Sequence, residues 1–196
     1  RSTLFPYTTL FRSLAEWKKE AERRGLDCGL SVPESLRAFT SEQSVRAFGD
    51  VGVMSEAELE SRKEVFLETY CRKVAIEARV LSDMTTNHVI PVAIRYQNML
   101  VENVRDLKEV CQPKDFQRLS ASQMDLIECI ASDIAEAEKT VDALDAEVEE
   151  LQAGPEGYDA AVRYQNEVVP MLEEIRKHVD SLEMMIDSDK DRKSVV

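Results

Sequence analysis

Apolar residues recur at spacings of three and four through Ile127, Ile130, Ile134, Ala137, Val141, Leu144, Val148 and Leu151. That spacing keeps one face of a helix apolar over about seven turns and forms a coiled-coil seam. Gly154-Pro155-Glu156-Gly157 then interrupts it with a turn no helix tolerates, and a second seam follows through Val168, Leu172, Ile175, Val179, Leu182 and Ile186. Two seamed helices joined by so short a turn predict a long antiparallel, coiled-coil-like hairpin over residues 112–190. Its arms should be of similar length, each on the order of 40 to 50 Å at about 1.5 Å per residue.

A long helix precedes the hairpin. Ser55-Glu56-Ala57-Glu58 is a capping box, in which the serine hydroxyl and the Glu58 carboxylate satisfy backbone donors freed at a helix start. Leu59, Phe66, Tyr70, Val74, Leu81, Met84 and His88 mark a slowly drifting stripe beyond it. Pro91 lies inside this pattern, where it removes a backbone donor and clashes with the preceding turn, so the helix over 55–111 is expected to kink there. Past the kink, Ile94, Leu100 or Val101, Val104 and Leu107 continue an apolar face to Val110, and residues 111–115 break it. Arg-Tyr-Gln-Asn occurs at 95–98 and at 163–166, each near a Val-(Ile/Val)-Pro, an echo too short to establish a repeat.

Residues 14–54 hold shorter pieces. Leu14, Trp17 and Ala21 fall at helical spacing, and Gly25 stands where a left-handed cap would end the helix. A loop from 27 to 32 is followed by Pro33, suited to the first turn of a helix running to Phe39, and Thr40 or Ser41 is placed to cap a third that ends near Gly49. Such pieces bury little surface alone and need a larger element to pack on. With six glycines and six prolines in 196 residues, the composition also favours helices over sheets. The expected class is all-α: short helices, a long proline-kinked helix, then the hairpin.

Both ends read as foreign. With one choice of codons, residues 4–13 back-translate to a DNA resembling a common short-read sequencing adapter, and residues 191–196 with a stop codon to its reverse complement. A signal peptide is a poorer reading of the N-terminus, because Pro6, Thr8, Thr9 and Arg12 break the apolar run. Segments 1–13 and 191–196 are therefore expected to be scars. Without them the chain loses Arg1, Arg12, Arg192, Lys193 and Asp191, and its net charge moves from −13 to −16. A surface so acidic repels phosphate backbones and anionic headgroups, which argues against nucleic-acid or membrane binding. No apolar run approaches the length of a membrane span.

Chemistry is hard to place on these residues. Cys28, Cys71, Cys111 and Cys129 show no C-x-x-C spacing and read as scattered small hydrophobes of a reducing cytoplasm. A dimetal carboxylate site needs Glu-x-x-His, and neither His88 nor His178 has a glutamate three residues earlier. Glu174 precedes His178 by four, the spacing of an ordinary helical surface pair. Phosphate-cradling glycine loops and the G-x-S-x-G nucleophile turn are missing from the sequence. No catalytic, cofactor-binding or metal-binding residue is assigned.

Ordered agreement over most of the chain does suggest a family. Glu16-Trp17, Glu20-Ala21-Glu22-Arg23-Arg24-Gly25-Leu26, Thr40-Ser41-Glu42 and Ser55-Glu56-Ala57-Glu58-Leu59-Glu60-Ser61-Arg62 come first. Ile76-Glu77-Ala78, the proline-bearing stretch 89–97 and Val168-Val169-Pro170-Met171 follow in the same order. Together they resemble the C-terminal helical region of type III glutamine synthetases. The resemblance implies a full-length parent that joins ammonia to the γ-carboxylate of glutamate through a γ-glutamyl phosphate, using ATP and Mg2+ or Mn2+, within a ring-based homo-oligomer. It also implies that the metal-binding glutamates and substrate-binding arginines lie upstream of Leu14, that 14–54 closes the catalytic portion, and that an aromatic- and proline-containing tail stands where 191–196 is found. This part would serve structure and subunit contact. The alternative is a free-standing helical adaptor, which explains the seams but not the short elements before Ser55.

Overall fold

The computed structural model describes residues 14–26, 29 and 31–186. The readings made on 1–13, Cys28, 187–190 and 191–196 lie outside the described residues, as do the side chain of Leu14 and most of the 27–30 loop. Every regular element among the described residues is helical. The chain divides into two compact units, with the boundary after Leu67.

In the first unit, α1 (Leu14–Arg23) ends as its sequence requires. Gly25 takes φ +69°, and the amide of Leu26 reaches back to the carbonyl of Ala21 at 2.9 Å, closing a left-handed cap. Ser31 caps α2 (Val32–Arg37), with Pro33 in its first turn. A single 3-10 turn, Ala38–Thr40, leads to Ser41, whose hydroxyl accepts from the Ser44 amide and caps α3 (Glu42–Asp50). The long α4 (Glu56–Met84) opens on the expected box: Ser55 donates its amide to Glu58 at 2.7 Å, and Glu58 donates its amide back to Ser55 Oγ at 3.4 Å. The short elements pack on the start of α4. Phe39 meets Phe66 edge-on with ring centroids 5.5 Å apart, and Lys63 Nζ donates to Thr40 Oγ1 at 3.3 Å.

The second unit is a three-helix bundle. α4 passes into a five-residue π turn, Thr85–Val89, and then α5 (Ile90–Val110). Cys111 and Gln112 break the chain, and α6 (Pro113–Ala153) runs unbroken for 41 residues. After the turn come α7 (Tyr158–Arg163), a second π turn, Tyr164–Val168, and α8 (Val169–Met185). Gly157 at φ +130° makes the reversal that a side chain would resist. Both predicted seams are buried in full except at Ile127, which is half-buried.

Two apolar clusters hold the bundle. One joins Val74, Ala75 and Ala78 of α4 to Leu144, Val148 and Leu151 of α6 and to Val168, Leu172 and Ile175 of the returning arm. The other joins Ile90, Val92 and Ala93 of α5 to Ile130 and Ile134 of α6 and to Leu182 and Ile186. The α4–α5 rod therefore runs antiparallel to α6.

Three expectations need correction. The hairpin arms are unequal: α6 holds 41 residues, whereas α7, the second π turn and α8 together hold 28. The first part of α6 packs on α5 instead, with Asn103 bonded to Gln123 at 2.8 Å and Gln97 to the Ile127 carbonyl at 3.0 Å. Secondly, the strain at Pro91 is met by the π turn ahead of it, in which the Ile90 amide bonds the carbonyl of Thr85, five residues back. One extra residue in a turn rotates everything after it by about 100°. Ile94, expected on the apolar face, is 41% exposed, while Val92 and Ala93 are buried. Thirdly, Phe66, Met84 and His88 are exposed, and Leu67, Ala75 and Ala78 take the buried positions of α4.

Candidate functional site

Polar side chains gather where the second half of α4 lies along the hairpin. Tyr70 donates its hydroxyl to Gln165 Oε1 at 2.8 Å, Arg79 donates to Gln152 Oε1 at 2.5 Å, and Ser82 donates to Asp145 Oδ2 at 2.9 Å. Burial pushes the phenols of Tyr70 and Tyr164 above the ordinary tyrosine range. These three bonds pin the register of α4, because apolar seams alone tolerate sliding.

A cleft of about 230 Å³ opens at the turn end of the bundle, between α4 and the start of the returning arm. Its floor is Cys71, Ala75 and Tyr164, and its rim carries Glu68, Arg72 and Glu156. Glu68 and Arg72 pair with each other across one helical turn. Cys71 is half-buried and its thiol is pushed up by desolvation, the wrong direction for a reactive thiolate. Cys111 is half-buried and Cys129 exposed.

Further along, Arg163 sits among three carboxylates drawn from both arms. Its Nη2 lies 2.6 Å from Glu147 and 3.0 Å from Glu150, and its Nε 3.2 Å from Glu167. One guanidinium cannot neutralise three anions, so Glu147 and Glu167 also face each other. Their hydrogen bond, with desolvation and the charge of Glu167, holds the more buried Glu147 above the usual carboxylate range despite Arg163. The same bond, with that of Arg163, holds Glu167 below it.

The pair noted at Glu174 and His178 forms, with Nε2 3.2 Å from Glu174 Oε1, and the opposite nitrogen lies 2.8 Å from Asp133 Oδ1 on α6. Two carboxylates on opposite edges of one ring cannot converge on a single ion. Ser181 gives its hydroxyl proton to Asp133 Oδ2 at 2.7 Å, so the imidazole is not set beside it as a general base. His88 stands exposed in the first π turn. Among the described residues, no three His, Cys, Asp or Glu side chains are arranged to hold a metal ion. No helix among them is long and apolar enough to cross a membrane.

Sequence reasoning missed the Arg163 and Asp133 groups. Arg163 and Glu147 are 16 residues apart and His178 and Asp133 are 45, and the seam register that brings them together names apolar residues only.

Ion pairs and hydrogen bonds that fasten helices to one another define a helical bundle region. Its affiliation is specific: residues 14–108 match the glutamine synthetase C-terminal domain, and the chain is a helical C-terminal region of a glutamine-synthetase-family protein. It is 39% identical over 175 residues to a glutamine synthetase of Bacteroides fragilis, covering 89% of this chain and 24% of that protein. A type-3 glutamine synthetase of Dictyostelium discoideum is 29% identical, with 88% and 23% covered, and a glutamine synthetase of Butyrivibrio fibrisolvens 25% identical, with 87% and 24%. The chain thus spans about a quarter of the length of these relatives.

Proposed function

We propose that this chain is the C-terminal structural part of a type III glutamine synthetase, whose full-length parent ligates ammonia to glutamate at the expense of ATP in the cytoplasm. The observation that supports this most is the 39% identity to a glutamine synthetase across nearly nine-tenths of the chain. In this reading the part itself carries no catalytic, cofactor-binding or metal-binding residue, and ATP with Mg2+ or Mn2+ belongs to the remainder of the parent. Residues 14–54 close the catalytic portion, 55–111 form the long kinked helix and 112–190 the antiparallel helical hairpin, and this part supports contacts between identical subunits. The terminal segments 1–13 and 191–196 are foreign.

Carboxylates are plentiful here, but on the outer faces of helices they meet water, where metal binding is weak and charge stabilisation is screened. Phosphoryl transfer needs fixed donors around the migrating group and a pocket that excludes water. The test is to incubate the purified chain with glutamate, ammonium, ATP and magnesium and follow phosphate and glutamine together. No turnover is expected. Stoichiometric release of both products, lost on mutating residues within the chain, would overturn the reading.

A further inference from the structure

One face of α4 is left without a partner in the bundle. Thr69, Lys73, Ile76, Val80, Asp83 and Asn87 are all exposed, and they follow one another at spacings of four, three, four, three and four. This is a strict heptad stripe, and it lies opposite the buried Ala78. Ile76 and Val80 are 62% and 52% exposed at its centre, far more than seam residues of the hairpin. Asn87, although inside the π turn, donates to Asp83 Oδ1 at 2.7 Å and so keeps its place on the face. Lys73 has no hydrogen-bond or ion-pair partner among the described residues, and Asp83 has no cation there, whereas the neighbouring Arg72 is held by Glu68.

The order of these residues is its own complement when reversed. Laid antiparallel on a second copy, with the two-fold axis crossing the stripe at the level of Ala78 along the helix, the stripe brings Ile76 against Val80, Lys73 against Asp83 and Thr69 against Asn87, each layer occurring twice. Every layer then joins like with like in polarity and opposite with opposite in charge. A parallel pairing would set Lys73 on Lys73 and Asp83 on Asp83. We propose that this face is a two-fold interface between two copies of the chain, formed as an antiparallel α4–α4 pair. It narrows the subunit-contact role proposed above to one face. Nineteen residues at about 1.5 Å rise give a contact some 28 Å long. Two apolar layers on each side make it smaller than the roughly 800 Å² per partner of a standard interface. The association is accordingly weak alone and gains from effective concentration where other contacts already hold subunits together.

The test is sedimentation equilibrium on the full 196-residue chain at up to about 1 mM, a range suited to weak pairs. Dimers are expected. Lys73→Glu and Asp83→Lys should each weaken self-association at least about tenfold, because each sets like charges opposite one another twice. The double variant Lys73→Glu/Asp83→Lys should recover it, and so should an equimolar mixture of the two single variants, in which every layer is again complementary. All four positions at the centre of the stripe are exposed, and unchanged helix content by circular dichroism confirms that the variants fold. A wild-type chain that stays monomeric, or single variants that do not complement each other, overturns the proposal. A full-length parent that assembles and makes glutamine while this chain stays monomeric would reject the face and leave the parent's function standing.

Discussion

Leu144→Ala is the sharpest probe of the bundle. Leu144 has no exposed surface and sits in the cluster where α4, α6 and the returning arm meet. Truncation removes three buried carbon atoms and leaves a cavity whose walls belong to three helices tied by Tyr70–Gln165, Arg79–Gln152 and Ser82–Asp145. Walls so tied relax little, which puts the cost in the upper half of the usual Leu-to-Ala range, about 3 to 5 kcal/mol. For a chain of this length each kcal/mol lowers Tm by about 2 to 4 °C, so the transition of the second unit should fall by roughly 6 to 20 °C. The matched control is Glu149→Ala, five residues on and exposed, which should stay within about 0.5 kcal/mol. Thermal unfolding followed at 222 nm, with urea titration at 25 °C as a check, measures both. Equal stability of the two variants would show that Leu144 does not face the three-helix core.

Glu147→Gln should stabilise the chain at neutral pH by at most about 1 kcal/mol, since the pair is partly exposed to water. Glu147 is raised in the folded state, so its contribution is present below its unfolded pKa and fades as pH rises through the folded one; glutamine keeps the donor to Glu167 at every pH. Urea titrations at pH 4 and pH 8 should show the gain at pH 8 only. Glu20 is lowered to about 2 by Arg23 and Arg24, so its contribution holds above the unfolded carboxylate range and is lost as pH falls towards 2, which carboxyl NMR titration reads directly. Tyr70→Phe and Ser82→Ala should each cost about 1 kcal/mol by loss of one bond between α4 and the hairpin, measured by urea unfolding.

The fold was legible wherever burial follows a single period. The seams from Ile130 to Leu151 and from Val168 to Ile186 are buried as their spacing predicts, since both lie on helices that face one core. Legibility failed at Ile94. The expected stripe had already left the buried face ahead of the proline, since Met84 and His88 are exposed, and the π turn at Thr85–Val89 is a feature that no periodicity announces. The only sign of it was the Val-(Ile/Val)-Pro echo. Val89-Ile90-Pro91 and Val168-Val169-Pro170 each close a five-residue π turn, in which Ile90 and Val169 bond carbonyls five residues back. The Arg-Tyr-Gln-Asn part of the echo corresponds to nothing shared: at 95–98 it follows the proline, and at 163–166 it precedes it.

The polar groups were less legible than the core for a physical reason. A heptad seam fixes which residues face inward, so it predicts apolar neighbours at any distance along the chain. A charged residue at the edge of the seam can turn towards either neighbouring helix or into water, and its partner is settled by register and by which helix packs alongside. His178 illustrates this. From sequence, Glu174 four residues earlier on the same helix was its evident partner, yet the shorter bond goes to Asp133, 45 residues away on α6. The stripe on α4 follows the same logic outward. Its spacing matches that of a buried seam, but Lys73 and Asp83 stand where apolar residues would be needed to join the intramolecular core, so the bundle closes on the Ala78 side and leaves Ile76 and Val80 exposed.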